Sequence, residues 1–446
     1  MKKLIIWLVI ICILAVVGYT VNSYATLFNG AAAKEVCSCM YLSDREQESI
    51  EMNDLNSFFI KLSTNVVDEE NRTVTSSFFG IASKTAVYRD GLGCALVNDA
   101  DINEVMKQSF KPNIPVYDAD TIFWPSGDKM RDTILANIDT YKLNKAIEEA
   151  LNEGHTRGIV VAYDTLFMAE GYNHGFDKDT RILGWSMTKS IMSTMTGILV
   201  KQGKLKLDGE TSIHEWKNDE RKNINLKNLL QMSSGLEWEE DYGKISEVTT
   251  MLFSKSDVAK YSISQKAIVK PDSLWVYSSG TSNIISEIIK RACPSQEDYL
   301  AFPQDELFSK IGMRSMVLET DAAGTFIGSS YSQATPRDWA RYGLLYLQDG
   351  YWGNEQILPD GWVDFTKTPA LNSKGEYGAQ FWLNSAEEPE LPDAPSDIYF
   401  ADGYNGQRVY IVPSHNLVIV RLGLSRPGEF DYNKFVTSIL AAVDNK

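Results

Sequence analysis

The run Ser186-Met187-Thr188-Lys189 sets a hydroxyl and an amine at positions i and i+3. On a helix these positions share one face, so a serine nucleophile and a lysine base could reach each other. Downstream, apolar residues recur with helical spacing at Ile191, Met195, Ile198 and Leu199, and Gly203 follows Lys201-Gln202 as a stop signal. The spacing predicts a helix over 187–202 with Ser186 at or near its N-cap. Unpaired N–H groups and a positive partial charge at that end favour an oxyanion, which suits acyl transfer by a serine hydrolase. The plainer alternative is a capping serine followed by a solvated lysine. A second match, Ser126-Gly127-Asp128-Lys129, follows Pro125 in a turn where no amphipathic helix opens, and is set aside.

Acyl transfer needs more than this pair. A lysine accepts a proton only when neutral, and a further group must carry that proton to the leaving atom. Tyr277 in Trp275-Val276-Tyr277-Ser278-Ser279-Gly280 ends a short extended stretch just before an expected helix over 283–291, where a tyrosine can face a cleft. It is also one of 21 tyrosines, and a packed side chain is the competing reading. An oxyanion hole takes two convergent backbone donors. Ser186 N–H can be one. Gly403-Tyr404-Asn405-Gly406-Gln407 opens the penultimate strand with glycines that permit close backbone approach, although the same run reads as an ordinary turn.

The elements that must position these residues follow a clear order. A helix over 140–153 precedes a buried strand over 158–163, a turn at Asp164-Thr165 and a return strand over 166–172. Residues 205–370 are mostly helical in pattern with Gly and Pro breaks. Strands return over 407–413 and 417–422, joined by Ser414-His415-Asn416, and a last helix is expected over 431–443. The class is α+β: an antiparallel sheet built from both ends of the body, flanked by helices, with an inserted all-helical lobe. Upstream, residues 73–98 suggest a hairpin pair with a turn at Asp90-Gly91, and a boundary falls near Pro125-Ser126-Gly127. Three parts result: 1–25, an N-terminal subdomain over 26–134 and the main body over 135–446; residues 22–46, across the first boundary, read as an aperiodic stalk or entry segment.

Composition limits the possible roles. A chain of 446 residues with 44% hydrophobic and 11% aromatic content can bury a sizeable core. A formal charge of −16 and the lack of a basic cluster exclude nucleic acid as the expected partner. After Met1-Lys2-Lys3, residues 4–21 form an uncharged apolar run. This is either a signal peptide cleaved near Ser23-Tyr24-Ala25 or a transmembrane anchor with its lysines inside; the length of the run favours the anchor. Both readings place the body outside the cytoplasm, periplasmic or at the cell surface. There Cys37, Cys39, Cys94 and Cys293 can form disulfides, with Cys94 to Cys37 or Cys39 the preferred pair. The four histidines are scattered without ligand spacing, so no metal and no cofactor is expected. Nothing points to an obligate protein partner.

From about residue 140 onward the chain resembles the penicillin-recognising serine hydrolases: class C β-lactamases, D,D-peptidases and related esterases, nearest the 6-aminohexanoate-dimer hydrolase branch. The likeness rests on the Ser-x-x-Lys motif, on 229–236 (Leu229 to Leu236), on Tyr277-Ser278-Ser279-Gly280, on Asp338-Trp339-Ala340-Arg341-Tyr342-Gly343, on Ile357-Leu358-Pro359-Asp360-Gly361-Trp362 and on the Gly406-Gln407 strand. The resemblance implies that Ser186 is the acylated nucleophile, Lys189 its base, Tyr277 the proton relay, and Gln407 N–H the second oxyanion donor. It places Tyr404-Asn405-Gly406 at the family's Lys-Thr-Gly or His-x-Gly motif and Ser279 at the Asn of Tyr-x-Asn. Losing a cationic Lys at Tyr404 disfavours carboxylate-bearing penicillins and favours an ester or a less charged amide. Tyr242, after the acidic run 237–241, is a further candidate for lining the cleft. The alternative function is a catalytically impaired, penicillin-binding-like protein that recognises cell-envelope peptides.

Overall fold

The computed structural model describes residues 2–55, 60–131 and 135–443. The expected boundary residues 132–134, Met1 of the N-terminal run, and the last three residues of the main body lie outside the described residues. The chain forms two compact units: Met1–Ser109 with Trp238–Tyr261 and Glu319–Thr325, and a larger one of Phe110–Glu237, Ser262–Leu318 and Phe326–Lys446.

The first unit begins with one continuous helix, Lys2–Ser43. The stalk expected over 22–46 is therefore helical almost throughout. The reason is a small-residue face, Ala25, Ala32, Ala33, Val36 and Cys37, which is buried although it shows no long apolar period. Four antiparallel strands follow in the order β1 Ser63–Asp68, β2 Thr73–Phe78, β3 Ile81–Arg89 and β4 Gly93–Val97. The expected hairpins are there as β2-β3-β4, with β1 added beside β2. The edge strand β1 carries no inward apolar alternation, because half-buried Asn65 is polar while the apolar Val66 is exposed. Cys37 and Cys94 form a disulfide that joins the helix to β4, with the Cα atoms 6.1 Å apart. Inside this unit Lys34 Nζ is 2.7 Å from Glu319, whose carboxylate also accepts from Ser38 Oγ at 2.9 Å and Cys94 N–H at 2.7 Å.

The second unit is layered around a mixed-origin sheet. The helix Thr140–Leu151 leads into β5 Thr156–Tyr163 and β6 Leu166–Tyr172, and the short strand β7 Ile182–Leu183 pairs with β9 Ser332–Ala334, itself beside β8 Val317–Leu318. A small hairpin joins β10 Tyr351–Trp352 to β11 Glu355–Gln356. The main sheet closes with β12 Trp382–Leu383, β13 Tyr399–Gly403, β14 Gln407–Val412 and β15 Leu417–Gly423, in the order β12-β13-β14-β15-β5-β6. Strands from both ends do meet: Val418 pairs with Ala162, Ile419 with Val161 and Val420 with Val160. These strands read as unbroken apolar runs because both faces are covered. Val160, Ala162, Val418 and Val420 face one core with the helices Met187–Lys201, Ser279–Ala292 and Pro336–Leu347. Ile159, Val161, Leu417 and Ile419 face the other, with the helices Thr140–Leu151 and Tyr432–Leu440. The insertion between β6 and β12 is rich in helices, as expected, and also carries the short pairs β7–β9 and β10–β11.

Candidate active site

Ser186 stands where an extended stretch turns into the helix Met187–Lys201. Gly184 N–H is held by Ser332 O at 2.7 Å, and Trp185 then takes a left-handed backbone at φ 48° to swing the chain into the helix. Thr188 Oγ1 secures the turn, lying 2.7 Å from both Trp185 O and Ser332 Oγ. Ser186 itself has helical angles and makes no side-chain cap. Its Oγ is thus not committed to the helix end, and lies 3.0 Å from Lys189 Nζ. Every residue from Met187 to Leu199 is buried, so the helix is central to the unit and not a surface element.

Lys189 is 1% exposed. Its Nζ lies 3.0 Å from each of three neutral oxygens, Ser186 Oγ, Ser279 Oγ and Ser329 O. Asn283 fixes two of these partners, donating to Ser279 O and to Ser329 Oγ at 3.0 Å each. The helix Ser279–Ala292 that carries Ser279 and Asn283 starts with a cap, Ser278 Oγ accepting from Thr281 N–H at 3.1 Å. Tyr277 precedes that cap, and its ring centroid is 4.9 Å from Lys189 Nζ. The same ring meets Tyr377 at 5.8 Å and Trp382 at 5.3 Å, in an aromatic group that Trp275 completes. Ser186, Lys189, Tyr277 and Ser279, distant in sequence, therefore converge.

The β13–β14 hairpin approaches the same place. A Cβ on Gly403 would lie 2.2 Å from Gly184 O, so only glycine allows this strand end to pass beside the residues leading to Ser186. Gln407 pairs with Gly403, and its side chain is turned inward: Nε2 donates to Gly423 O at 2.7 Å and Oε1 accepts from Gly423 N–H at 3.0 Å. What Gln407 can offer to a cleft is its backbone, not its amide side chain. Arg421 holds Gly406 O at 2.8 Å, and Ser425 N–H holds Asn405 O at 2.8 Å, so the turn Tyr404-Asn405-Gly406 is fixed by its backbone. Tyr404 is exposed, and its ring stands 5.5 Å from that of Trp185, which also meets Tyr331 at 5.7 Å. On β13, Asp402 is pushed up to about 6, first by burial and then by Glu390, against the opposing fields of Arg408 and Lys189.

Tyr242 lies in Trp238–Tyr261, a segment of the first unit, and is not among the residues that converge on Ser186 within the second. The residues sequence reasoning missed are Ser329, Trp185, Tyr331, Tyr377 and Trp382. Only the aromatic density near Tyr377-Gly378 and Phe381-Trp382 hinted at them, and core packing produces the same signal. The decoy Ser126-Gly127-Asp128-Lys129 sits outside any helix, and Asp128 is engaged by Arg341 at 2.6 Å and Arg314 at 3.3 Å. For a metal, the described residues bring ligand atoms of Glu35, Cys39 and Asp54 within 4.8 Å of one another in the first unit. There Arg45 already bonds Asp54 at 2.7 Å, which supplies the positive charge a cation would bring.

Comparison with known proteins agrees with this construction. A beta-lactamase family model matches residues 143–438. The chain is 22% identical over 304 residues to the 6-aminohexanoate-dimer hydrolase of Paenarthrobacter ureafaciens, covering 62% of this chain and 74% of that one. A putative 6-aminohexanoate-dimer hydrolase from Bacillus anthracis shares the fold with a TM-score of 0.57 at 20% identity, over 71% of this chain and 86% of that one. A family VIII carboxylesterase shares it with a TM-score of 0.52 at 15% identity, over 71% and 99% of the two chains. With the fold, the helix-borne serine and the buried lysine all in place, the chain belongs to the beta-lactamase family, the β-lactamase-like serine hydrolases.

Proposed function

We propose that the protein is an extracytoplasmic serine hydrolase that cleaves an ester or a weakly charged amide through an acyl-enzyme on Ser186. The observation that carries this reading is the 3.0 Å approach of Lys189 Nζ to Ser186 Oγ at a site where the lysine is 1% exposed. A neutral amine has two N–H bonds and one lone pair. The carbonyl of Ser329 can only accept, Ser279 Oγ can accept, and the lone pair is then left for the Ser186 hydroxyl proton. In acylation, Ser186 Oγ attacks the carbonyl carbon as its proton passes to Lys189. The tetrahedral oxyanion is held by Ser186 N–H and Gln407 N–H. The proton then reaches the leaving oxygen or nitrogen by way of Tyr277, and water repeats the sequence to release the acid.

The substrate class follows from what surrounds the pair. Tyr404 stands where carboxylate-binding relatives carry lysine, and Trp185, Tyr331, Tyr377 and Trp382 present aromatic surface near the reacting groups. These favour an uncharged acyl group over a penicillin carboxylate. Asn405 and Gly406 would shape the floor beside Tyr404. For localisation, the helix Lys2–Ser43 carries a window of mean hydropathy 2.9 with none of it buried. A retained anchor fits better than cleavage, because Ser23-Tyr24-Ala25 is helical and Ala25 is buried.

Short-chain nitrophenyl esters test the reading. Wild type should turn over continuously, and Lys189→Met should lose about a thousandfold or more in kcat, as expected when base and nucleophile act as a unit. Equal rates for the two would overturn the assignment. A burst equal to the enzyme concentration with no steady state would instead favour the impaired, peptide-recognising alternative.

A further inference from the structure

The first unit displays an oddity at the β2–β3 turn. Phe78 pairs with Ile81, leaving Phe79-Gly80 as a two-residue loop with φ of 47° and 78°. Such loops favour Asn-Gly, because both residues must be left-handed. Phenylalanine there costs about 1–2 kcal/mol in backbone strain. The side chain gains little in return: its ring meets the edge of half-buried Phe78 at 4.7 Å, yet Phe79 is 77% exposed and Ile81 48% exposed. A Cβ on Gly80 would meet nothing within 4 Å, so the tip stands in open space.

The position of that tip can be read from its register against the N-terminal helix. Asn29 Nδ2 donates to Ala82 O at 2.8 Å and Asn29 Oδ1 accepts from Ser63 Oγ at 2.7 Å, while Tyr41 stacks on Tyr88 at 5.0 Å. Moving from Tyr41 back to Asn29 thus runs alongside β3 from Tyr88 back to Ala82, about 18 Å of helix against about 20 Å of strand. Continuing in that direction, the helix reaches Val21, the end of the apolar run, about 12 Å below Asn29. The hairpin continues the same way by about 7 Å to its tip. Phe79 and Gly80 therefore end about 5 Å from the level of Val21, where the apolar run ends, and a headgroup layer is roughly 5–7 Å deep. The helix carries Tyr19 and Tyr24 on either side of Val21, where an interfacial aromatic belt belongs.

We propose that Phe79 and Ile81 at the β2–β3 tip rest in the headgroup layer of the bilayer crossed by residues 4–21, a second, peripheral contact that fixes the orientation of the first unit on the membrane. The proposal rests on the reading of that helix as a retained anchor. Strain at Phe79 is then offset by burial of its ring in the interface.

The test uses the full chain in vesicles of phosphatidylethanolamine and phosphatidylglycerol with a tagged acyl chain. Phe79 is replaced by photoreactive p-benzoylphenylalanine, and in a control chain Val66 is replaced likewise; Val66 is also exposed but pairs with Thr75, about 10 Å further from the tip. Expected is about fivefold or more lipid adduct at position 79 over position 66, in a chain that alkaline carbonate does not strip from the vesicles. Equal adduct in a retained chain overturns the hairpin contact and leaves the anchor standing. Release by carbonate overturns the anchor and this proposal with it. As a second variant, Phe79→Asn creates the favoured Asn-Gly loop, so its thermal midpoint in detergent should hold or rise; a clear fall would mark Phe79 as a packing residue and overturn the proposal.

Discussion

At the scale of single residues, the account turns on how Lys189 is held. Its oxygen partners include the hydroxyls of Ser186 and Ser279 and the carbonyl of Ser329, and of these Ser279 can be removed without touching the nucleophile or the backbone. Ser279→Ala should lower kcat about ten- to hundredfold, the effect of one lost buried hydrogen bond of about 1–3 kcal/mol, with little change in KM. Unchanged kcat would show that Ser279 does not position the lysine. Asp402 offers a test by pH. Its carboxyl is raised to about 6, so between about 4 and 6 the folded chain holds a proton that the unfolded chain releases. That group's contribution to stability is therefore fully present below about 4 and is lost as pH rises through about 6. Asp402→Asn should remove this falling component, seen as a difference between the two chains in denaturant midpoints across that window; parallel curves would contradict it.

At the scale of elements, the site depends on two chain segments passing closer than side chains allow. Gly403→Ala would press a Cβ against Gly184 O, so β13 must shift away from the strand that leads to Ser186. A destabilisation of about 1–3 kcal/mol is expected, with a loss of turnover larger than the loss of folded protein, measured by thermal melts and ester assays on the same samples. The helix Met187–Lys201 was legible from Ile191, Met195, Ile198 and Leu199, and β5, β6, β14 and β15 from their apolar runs. Other elements were not, for physical reasons. The strand Tyr399–Gly403 hides because its aromatic and small residues carry no alternation once both faces are buried. The helix over 22–43 hides because alanine, glycine and serine pack closely without looking hydrophobic. Of the proposed site, Ser186, Lys189, Tyr277 and the Gly403–Gln407 turn are readable as motifs. Ser329 acts through a carbonyl, which every residue possesses, and no sequence pattern can mark it.

At the scale of the whole molecule, each compact unit carries its own buried charge network. In the first, Lys34 and Glu319 are sealed from water, and burial pushes the Lys34 amine below its usual range despite the facing carboxylate. They join the N-terminal helix to the segment Glu319–Thr325, which returns to this unit from far along the chain. Lys34→Met takes away Glu319's cationic partner, leaving among the described residues Ser38 Oγ and Cys94 N–H as its donors, and should lower unfolding free energy by about 3–5 kcal/mol. A denaturant midpoint equal to that of wild type would contradict this. Because the affected network lies in the first unit, two probes should separate: near-ultraviolet signals from the disulfide region should be lost before ester hydrolysis at Ser186.

The central claim is that Ser186, activated by Lys189, forms a covalent acyl-enzyme. It is tested most directly by intact-mass measurement after brief exposure to a fluorophosphonate, followed by peptide mapping. The account predicts a single adduct on the peptide containing Ser186 in wild type, slow labelling in Lys189→Met and none in Ser186→Ala. Equal labelling of wild type and Ser186→Ala, or an adduct mapped to another serine, would contradict it.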